Sequence, residues 1–447
     1  MLAIFATSML VSAQTVYDFS DYLFEYEDED ATPLGVFYNV SPNGRYAVGC
    51  DDAQMNCYES YLWTMDNPTE LTIINVAPTR IATIDVSDCG TVVGSFEDRG
   101  DDLDTKAVCY PAYRTIDGTW TTLPVPDEYS TSMAKSYTFA EEARAITPDD
   151  KYIAGNVHII VGYNSTWGWD IVYPTPLLWE LTDTGYALKE VYLDLGAAGK
   201  SYVYTDGEMV VQESAMNYKS FLVYDISRDG TTICGVNTAA SGGQNPAIIK
   251  DGALYQLFDC GEYGVTDVVN FDGGICNKID ANGNVYGYFV DENGTLLYFV
   301  YTAEGKLVYY DEWYITGTAD GEFITQSNDY IPYVLDASDD GLVIAGGGTT
   351  TLSYGADVNY PLLIVYNDDT GIDQLTTIKN STGISYERGG NLYVKGVYNT
   401  AEIFSASGAK IASGRQGHSF DTSAMPSGTY VVRVTTDEGV STYKFVR

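Results

Sequence analysis

Histidine does most general acid–base work near neutral pH, and it occurs only twice in the 447 residues, at His158 and His418. A Ser-His-Asp or Cys-His site in the body of the chain has to use His158, within Asn156-Val157-His158-Ile159-Ile160-Val161. A single histidine in an apolar strand-like run reads as structural rather than catalytic. No G-x-S-x-G elbow, H-E-x-x-H helix or P-loop is present, so no catalytic residue and no cofactor is assigned. The 62 Asp and Glu residues make a glycosidase-type carboxylate pair available. With so many acids, the presence of some pair carries no information.

Aromatic side chains offer a different chemistry. Tyr163, Trp167 and Trp169 cluster in Tyr163-Asn164-Ser165-Thr166-Trp167-Gly168-Trp169-Asp170, read as a long loop. Such rings stack on sugars or grip a protein partner, and they are the candidate ligand-binding residues. Acidic runs at Glu25-Tyr26-Glu27-Asp28-Glu29-Asp30 and Asp101-Asp102-Leu103-Asp104 lack the spacing of a calcium loop and read as solvated segments, so no metal ligand is assigned. The seven cysteines show no metal-like spacing. Cys50–Cys57, Cys89–Cys109 and Cys260–Cys276 can each close a local hairpin, leaving Cys234; ordinary buried thiols explain the same residues equally well.

The elements that position these residues are β-rich. Thirty-nine tyrosines and 44 glycines accompany a formal net charge of −39, and a field of that sign repels phosphate backbones and anionic lipid. Nucleic-acid binding and a polybasic membrane anchor are therefore disfavoured, and no apolar run reaches the roughly 18 residues of a spanning helix. The start, Met1 to Ala13, is a short apolar stretch ending Val11-Ser12-Ala13. It reads as a signal peptide cleaved after Ala13, although a basic n-region is missing. Residues 14–34 then form an acidic N-terminal segment.

Six segments repeat one pattern: apolar residues, Ser/Thr/Asp, a polar turn usually ending in Gly, a strand, and a closing Gly. They begin at Val40-Ser41, Val86-Ser87, Ile146-Thr147, Ile226-Ser227, Ile279-Asp280 and Ala337-Ser338, and close on Gly49, Gly94, Gly155, Gly235, Gly287 and Gly346. Asn-Gly or Asp-Gly supplies the positive φ of a tight turn, and the closing Gly marks a bulge or a close backbone approach. Aromatic and aliphatic third strands follow, such as Tyr61-Leu62-Trp63 and Pro176-Leu177-Leu178-Trp179, and fourth strands such as Lys306-Leu307-Val308-Tyr309-Tyr310. Four strands recurring about every 45 to 60 residues are the grammar of a propeller blade. The longer step from Gly155 to Gly235 holds a long loop or a decayed extra blade around Tyr186 to Phe221, so six or seven blades are expected, with six favoured.

On these motifs, residues 35–370 of a repeat domain read as 35–372 resemble the bacterial extracellular HAF repeats, whose units run Ile-Ser-x-Asp-Gly, a strand ending Val-Gly, then a strand ending in Trp. The resemblance implies a β-propeller and leaves the ligand open. Ser227-Arg228-Asp229-Gly230-Thr231-Thr232 is faintly similar to the Asp-box of sialidase-type propellers. It lacks the residue between Asp and Gly and the Trp that follows, and reads as a hairpin turn.

A polar linker at 373–383 leads to short strands at Asn391-Leu392-Tyr393-Val394, Ala401-Glu402-Ile403-Phe404, Ala409-Lys410-Ile411, Ser419-Phe420-Asp421, Gly428 to Val434 and Ser441 to Arg447. These fit a small immunoglobulin-like β-sandwich over 384–447. From Gly383 onward seven basic and five acidic side chains give a net +2, against −41 for the rest. Leu392-Tyr393-Val394-Lys395-Gly396, Ala401-Glu402-Ile403-Phe404, Asp421 to Val434 and Lys444-Phe445-Val446-Arg447 closely resemble, in order, the type A C-terminal sorting domain of the type IX secretion system. The resemblance implies Sec export, outer-membrane translocation through the type IX machinery, and attachment to the cell surface or release. The fold class expected is all-β, a six- or seven-bladed propeller followed by that sandwich. The function expected is non-catalytic binding of an extracellular glycan or protein. The alternative is a secreted glycosidase or lyase with carboxylate catalysis on the propeller face, which a deep polar funnel with converging Arg and Glu favours.

Overall fold

The computed structural model describes residues 14–20, 23–24, 32–33, 35–50, 60–74, 81–98, 108–116, 118–131, 141–165, 168–192, 201–205, 208–212, 218–239, 244–257, 273–291, 294–310, 312–326, 333–351, 357–366, 383–386, 391–395, 399–405, 410–415, 419–422, 425–426, 429–436 and 439–446. The expected signal peptide, both acidic runs, the linker at 373–382, Trp167 and His418 lie outside the described residues. The chain forms two compact units, one of them Gln14–Tyr366 and the other holding Asn367–Arg447. The named elements are β-strands. No helix among the described residues is long and apolar enough to cross a membrane.

Six four-stranded antiparallel arrangements and two two-stranded sheets, one of them the short hairpin Leu23–Phe24/Thr32–Pro33, build the described part of the first unit. Sheet 1 is Val36–Val40, Tyr46–Cys50, Ser60–Thr64 and Leu71–Ile73. Sheet 2 is Ile81–Val86, Val92–Asp98, Val108–Arg114 and Thr121–Thr122. Sheet 3 is Glu142–Ile146, Tyr152–Asn164, Trp169–Thr182 and Gly185–Val191. Sheet 4 is Tyr218–Ile226, Thr232–Ala239, Gln244–Lys250 and Ala253–Gln256, extended by the hairpin Ser201–Thr205/Glu208–Gln212, whose Tyr202 pairs in parallel with Tyr255. Sheet 5 is Gly273–Ile279, Val285–Val290, Leu296–Tyr301 and Leu307–Tyr310. Sheet 6 has only Tyr314–Gly317 and Phe323–Thr325. Sheet 7 is Tyr333–Ala337, Val343–Thr351, Asp357–Tyr366 and, from the other end of the sequence, Gln14–Asp18, with Gln14 opposite Tyr366.

The turn after each first strand explains the repeat. In sheet 1 the Ser41 hydroxyl donates to Asn43 Oδ1 at 2.9 Å and accepts the Tyr46 N–H at 3.0 Å, while Gly44 N–H donates to Ser41 O at 2.8 Å. Thr147 with Asp149, Ser227 with Asp229 and Ser338 with Asp340 do the same. One hydroxyl thus satisfies a strand N–H and holds an acceptor that shapes the turn. Gly44, Gly90, Gly230, Gly283 and Gly341 have positive φ there; in sheet 3 Asp150 takes that place at φ 62°.

Every first strand carries a bulge at the same place, between Phe37/Asn39, Thr83/Asp85, Ala143/Ala145, Val223/Asp225, Cys276/Lys278, Tyr314/Thr316 and Val334/Asp336. The closing glycines stand opposite it: Gly49 faces Phe37, Gly235 faces Val223 and Gly287 faces Cys276. A Cβ on Gly235 would lie 1.9 Å from Leu222 O, and one on Gly49 2.2 Å from Val36 O. The bulge presses a carbonyl against the neighbouring strand, which leaves room only for glycine.

Apolar side chains fill the spaces between successive sheets. One cluster joins sheets 7 and 1 through Phe37, Trp63, Leu363 and Val365, the next joins 1 and 2 through Val48, Leu62, Val86 and Val92, and others join 2 with 3, 3 with 4, and 4 with 5. Aromatic contacts such as Tyr288–Trp313 join 5 with 6, and Ile315 with Val334 and Ile364 joins 6 with 7. Sheets stacked face to face in chain order, returning to the first, are a β-propeller. The third-strand Trp63 and Trp179 are fully buried, and their Nε1 groups donate to Pro68 O at 2.9 Å and Pro124 O at 2.7 Å. Each such ring removes roughly 150–250 Å² from water, about 4–6 kcal/mol of transfer free energy.

Four sequence expectations change. The third strand of sheet 2, Val108–Arg114, was not anticipated. The stretch from Tyr186 to Phe221 is no decayed blade: it supplies the last strand of sheet 3, an edge hairpin on sheet 4 and the start of sheet 4's first strand. Gln14–Asp18, read as the start of a separate acidic segment, is the edge strand of sheet 7 because Val16 and Tyr17 pair with Ile364 and Leu363. Cys89 is a free thiol, so the Cys89–Cys109 bridge is absent.

In the second unit, a three-stranded sheet (Gly383–Tyr386, Asn391–Lys395, Ser419–Asp421) and a four-stranded sheet (Lys410–Arg415, Thr400–Ser405, Thr429–Thr436, Gly439–Val446) form one core. Leu392 and Phe420 of the first meet Ala401, Ile403, Val432 and Val434 of the second. Gly439–Val446 is an edge strand.

Candidate functional site

The residue that follows each bulge occupies one position on each first strand: Asn39, Asp85, Ala145, Asp225, Lys278, Thr316 and Asp336. The Lys278 ammonium donates to Asn39 Oδ1 at 2.8 Å and to Asp336 Oδ2 at 3.0 Å, so side chains of sheets 5, 1 and 7 meet across the middle of the ring. Asp85, Asp225, Lys278 and Thr316 line a cavity of about 50 Å³ there. Its mouth lies on the face bearing the Ser-x-Asp-Gly turns, where the Arg228 guanidinium pairs with Asp339 from across the ring.

The carboxylates also hold adjacent sheets together. Asp85 accepts Val86 N–H at 2.8 Å and, from sheet 3, Ile146 N–H at 2.9 Å. Asp225 accepts Ile226 N–H at 2.8 Å and, from sheet 5, Ile279 N–H at 2.7 Å. Asp336 Oδ2 accepts Val40 N–H of sheet 1 at 2.9 Å, and its Oδ1 has no hydrogen-bond partner among the described residues. Each clasp satisfies an N–H on the innermost strand of the neighbouring sheet.

Burial dominates the electrostatics. It pushes the Asp85 carboxyl up to about 7, with Lys278 pulling down and Asp225 adding to the rise. It pushes Asp225 up to about 6, again against Lys278. Burial alone would lower Lys278, but Asp336, Asp225 and Asp85 outweigh it and hold the ammonium above its ordinary range. A carboxyl that titrates near neutrality has the acidity of a general acid, yet both oxygens of Asp85 are engaged by backbone N–H groups. The cavity has room for only a few waters, whereas small-molecule sites run to about 300–1,000 Å³. Chemically, the arrangement can fasten sheets and bind water.

His158 is buried, with Nδ1 at 2.7 Å from Glu141 Oε1 and its N–H also on that carboxylate. Burial raises the Glu141 carboxyl and the histidine pulls it down. The pair is 5% and 1% exposed and closed to substrate, in keeping with a structural histidine. Ser227 to Thr232 forms the hairpin turn of sheet 4. Among the described residues no group of three or more His, Cys, Asp or Glu is placed to hold a metal.

Tyr163 and Trp169 lie on the longest hairpin among the described residues and not in a long loop. Tyr152–Asn164 and Trp169–Thr182 pair along their length with one bulge between Ile160 and Gly162, so Tyr163 and Trp169 are strand residues flanking the tip. Tyr163 is 62% exposed, and Asn164 pairs with Trp169. Trp167 lies outside the described residues. The axial residues were not singled out from the sequence. Their signal was an acid or amide two places before the turn serine, as in Asn39-Val40-Ser41, Asp85-Val86-Ser87, Asp225-Ile226-Ser227 and Asp336-Ala337-Ser338.

No family model matches the chain, and no curated protein matches it. Among solved structures it is similar to TolB from Acinetobacter baumannii at 9% identity and TM-score 0.38, over 73% of this chain and 65% of that one. It is also similar to putative TolB from Agrobacterium tumefaciens at 11% and 0.34, over 79% and 97%. A puromycin hydrolase aligns at 13% and 0.35, over 74% of this chain and 44% of that one. The chain thus spans under two thirds of the first and of the hydrolase.

Proposed function

We propose that the chain is a non-catalytic binding protein, exported through the type IX machinery and held at or released from the surface of a Gram-negative bacterium. It presents a propeller to an extracellular glycan or protein. In this reading the propeller has seven positions, sheet 6 being an abbreviated blade, and the second unit is the immunoglobulin-like sorting sandwich. The observation that carries the binding role is the axis: its carboxylates are spent on clasping sheets and its cavity is too small for a sugar. The exposed Tyr163 at the end of a projecting hairpin supports a contact there, with Trp167 and Trp169 beside it in sequence.

A glycan array and a pull-down with the full chain test this. Saturable binding without turnover, reduced by Tyr163→Ala or Trp169→Ala, is expected; breakdown of a bound polysaccharide overturns it. For export, truncation after Tyr366 in a type IX-competent host should leave the chain in the periplasm. Surface delivery of the truncated chain would remove the sorting role.

A further inference from the structure

The turns that follow the first strands of sheets 1–7 surround one end of the axis, and each closes with the same backbone bond, such as Gly44 N–H to Ser41 O. The residue after the turn Ser, Thr or Asp is basic only in sheet 4, where it is Arg228. The other six turns carry Pro42, Asp88, Pro148, Ala281, Ala319 and Asp339 there. Arg228 alone is long enough to span the opening, and its guanidinium pairs with Asp339 of sheet 7. Asp88 lies on its other side: burial raises the Asp88 carboxyl, while the Asn43 N–H and Arg228 draw it down.

The axial cavity lies beneath this pair. On every first strand that lines it, the lining residues are the axial one or those after it, toward the turn, and none before it. Its floor is therefore the axial network itself, in which Lys278 bonds Asn39 and Asp336, and its turn-side end is lined by Arg228 and Asp339. The two closures differ in kind. Lys278 and Asp336 are 20% and 1% exposed, whereas Arg228 and Asp339 are 45% and 27% exposed. An exposed pair is worth about 0.2–1 kcal/mol and is screened by salt. The cavity is thus shut on one side by a buried network and on the other by a bond that the medium can undo. Behind that bond stand Asp85 and Asp225, which hold the Ile146 and Ile279 N–H groups of neighbouring sheets. Water that enters competes for those acceptors.

We propose that Arg228 and Asp339 form a latch over the axial cavity, opened by ionic strength, that controls the access of water and small solutes to Asp85, Asp225 and Thr316. The latch is independent of the binding-protein reading. Tyr163 stands near the far end of Tyr152–Asn164, a strand that starts beside the turns.

The full chain carrying Thr316→Cys, which puts a thiol in the cavity wall, tests the latch. Peptide mass spectrometry follows its labelling by methyl methanethiosulfonate. Cys89, which is exposed, gives the rate of an open site, and the buried Cys234 and Cys276 report unfolding in the same sample. Arg228→Gln should speed labelling at position 316 about two- to fivefold, with Cys234 and Cys276 unmoved. Added NaCl should speed it where Arg228 is present and not in Arg228→Gln. Arg228 is exposed, and unchanged circular dichroism will show that the variant folds. Amide exchange of the peptides holding Ile146 and Ile279, in chains without the added thiol, gives a second reading and should rise in Arg228→Gln. Equal labelling with and without Arg228, a parent rate matching Cys89, a rate that follows Cys234 and Cys276, or unchanged amide exchange each overturns the latch.

Discussion

Lys278 is the buried cation that faces the three axial aspartates, and its loss should be costly. Lys278→Met leaves Asp336, Asp225 and Asp85 buried without their counter-charge, and removal of one partner from a buried ion network costs about 3–5 kcal/mol. Urea unfolding at pH 8 measures it. Asp85 and Asp225 also set a pH dependence. Their folded values lie above the ordinary carboxylate value, so the folded state holds protons that the unfolded chain releases. Their contribution is greatest below about pH 4 and falls as pH rises to about 7. Asp85→Asn should flatten the decline of stability between pH 5 and 8, whatever its effect on absolute stability; an unchanged slope would show that Asp85 does not titrate there. Glycines separate by mechanism. Gly235→Ala drives a Cβ into Leu222 O and should cost about 3 kcal/mol or more, whereas Gly252→Ala, with open space around it, meets only its positive φ, about 1 kcal/mol.

At the scale of elements, the bulge and the turn act as a pair. The turn Ser or Thr ends the first strand, the bulge before it rotates one side chain to the axis, and the closing glycine accommodates the displaced carbonyl. The hairpin Ser201–Thr205/Glu208–Gln212 stands outside this scheme at the edge of sheet 4. Replacing 201–212 by a short loop should leave stability within about 1 kcal/mol, since the four strands of sheet 4 and their core remain. Thermal unfolding of the trimmed chain measures it. Most strands were legible from alternation and turn residues. Val108–Arg114 was not, because Arg114 stands where sheets 1 and 3 place Trp63 and Trp179, although Pro111 matches Pro176, Pro246 and Pro361 in register. Sheet 6 was missed for a related reason: Thr318-Ala319-Asp320-Gly321 carries the turn, but no closing glycine follows it and only two strands are found among the described residues.

At the scale of the molecule, closure joins the two ends of the first unit. Gln14–Asp18 completes sheet 7, and Tyr17 packs on the cluster shared with Trp63. Val16→Pro removes a donor from that strand and should lower the unfolding temperature of the whole first unit, because ring-like packing leaves no sheet independent of its neighbours. The second unit has its own core. Calorimetry should therefore show two transitions, only one of which moves in Val16→Pro.

The amino-acid sequence alone determined the β-rich class, the six complete repeats and the strands of the second unit. These depend on local chemistry: side-chain alternation, hydroxyl-to-backbone turns and positive φ at glycine. Tertiary structure decided what long-range neighbours decide. It brought Gln14–Asp18 to Tyr366 and converged Asn39, Asp85, Asp225, Lys278 and Asp336 from five sheets on one axis. Each of these depends on residues far apart in the chain, and a bulge that turns a side chain inward leaves only a faint mark in the residues around it. The aromatic tip at Tyr163 was visible as composition; its projection on a paired hairpin was settled by the long register between Tyr152–Asn164 and Trp169–Thr182.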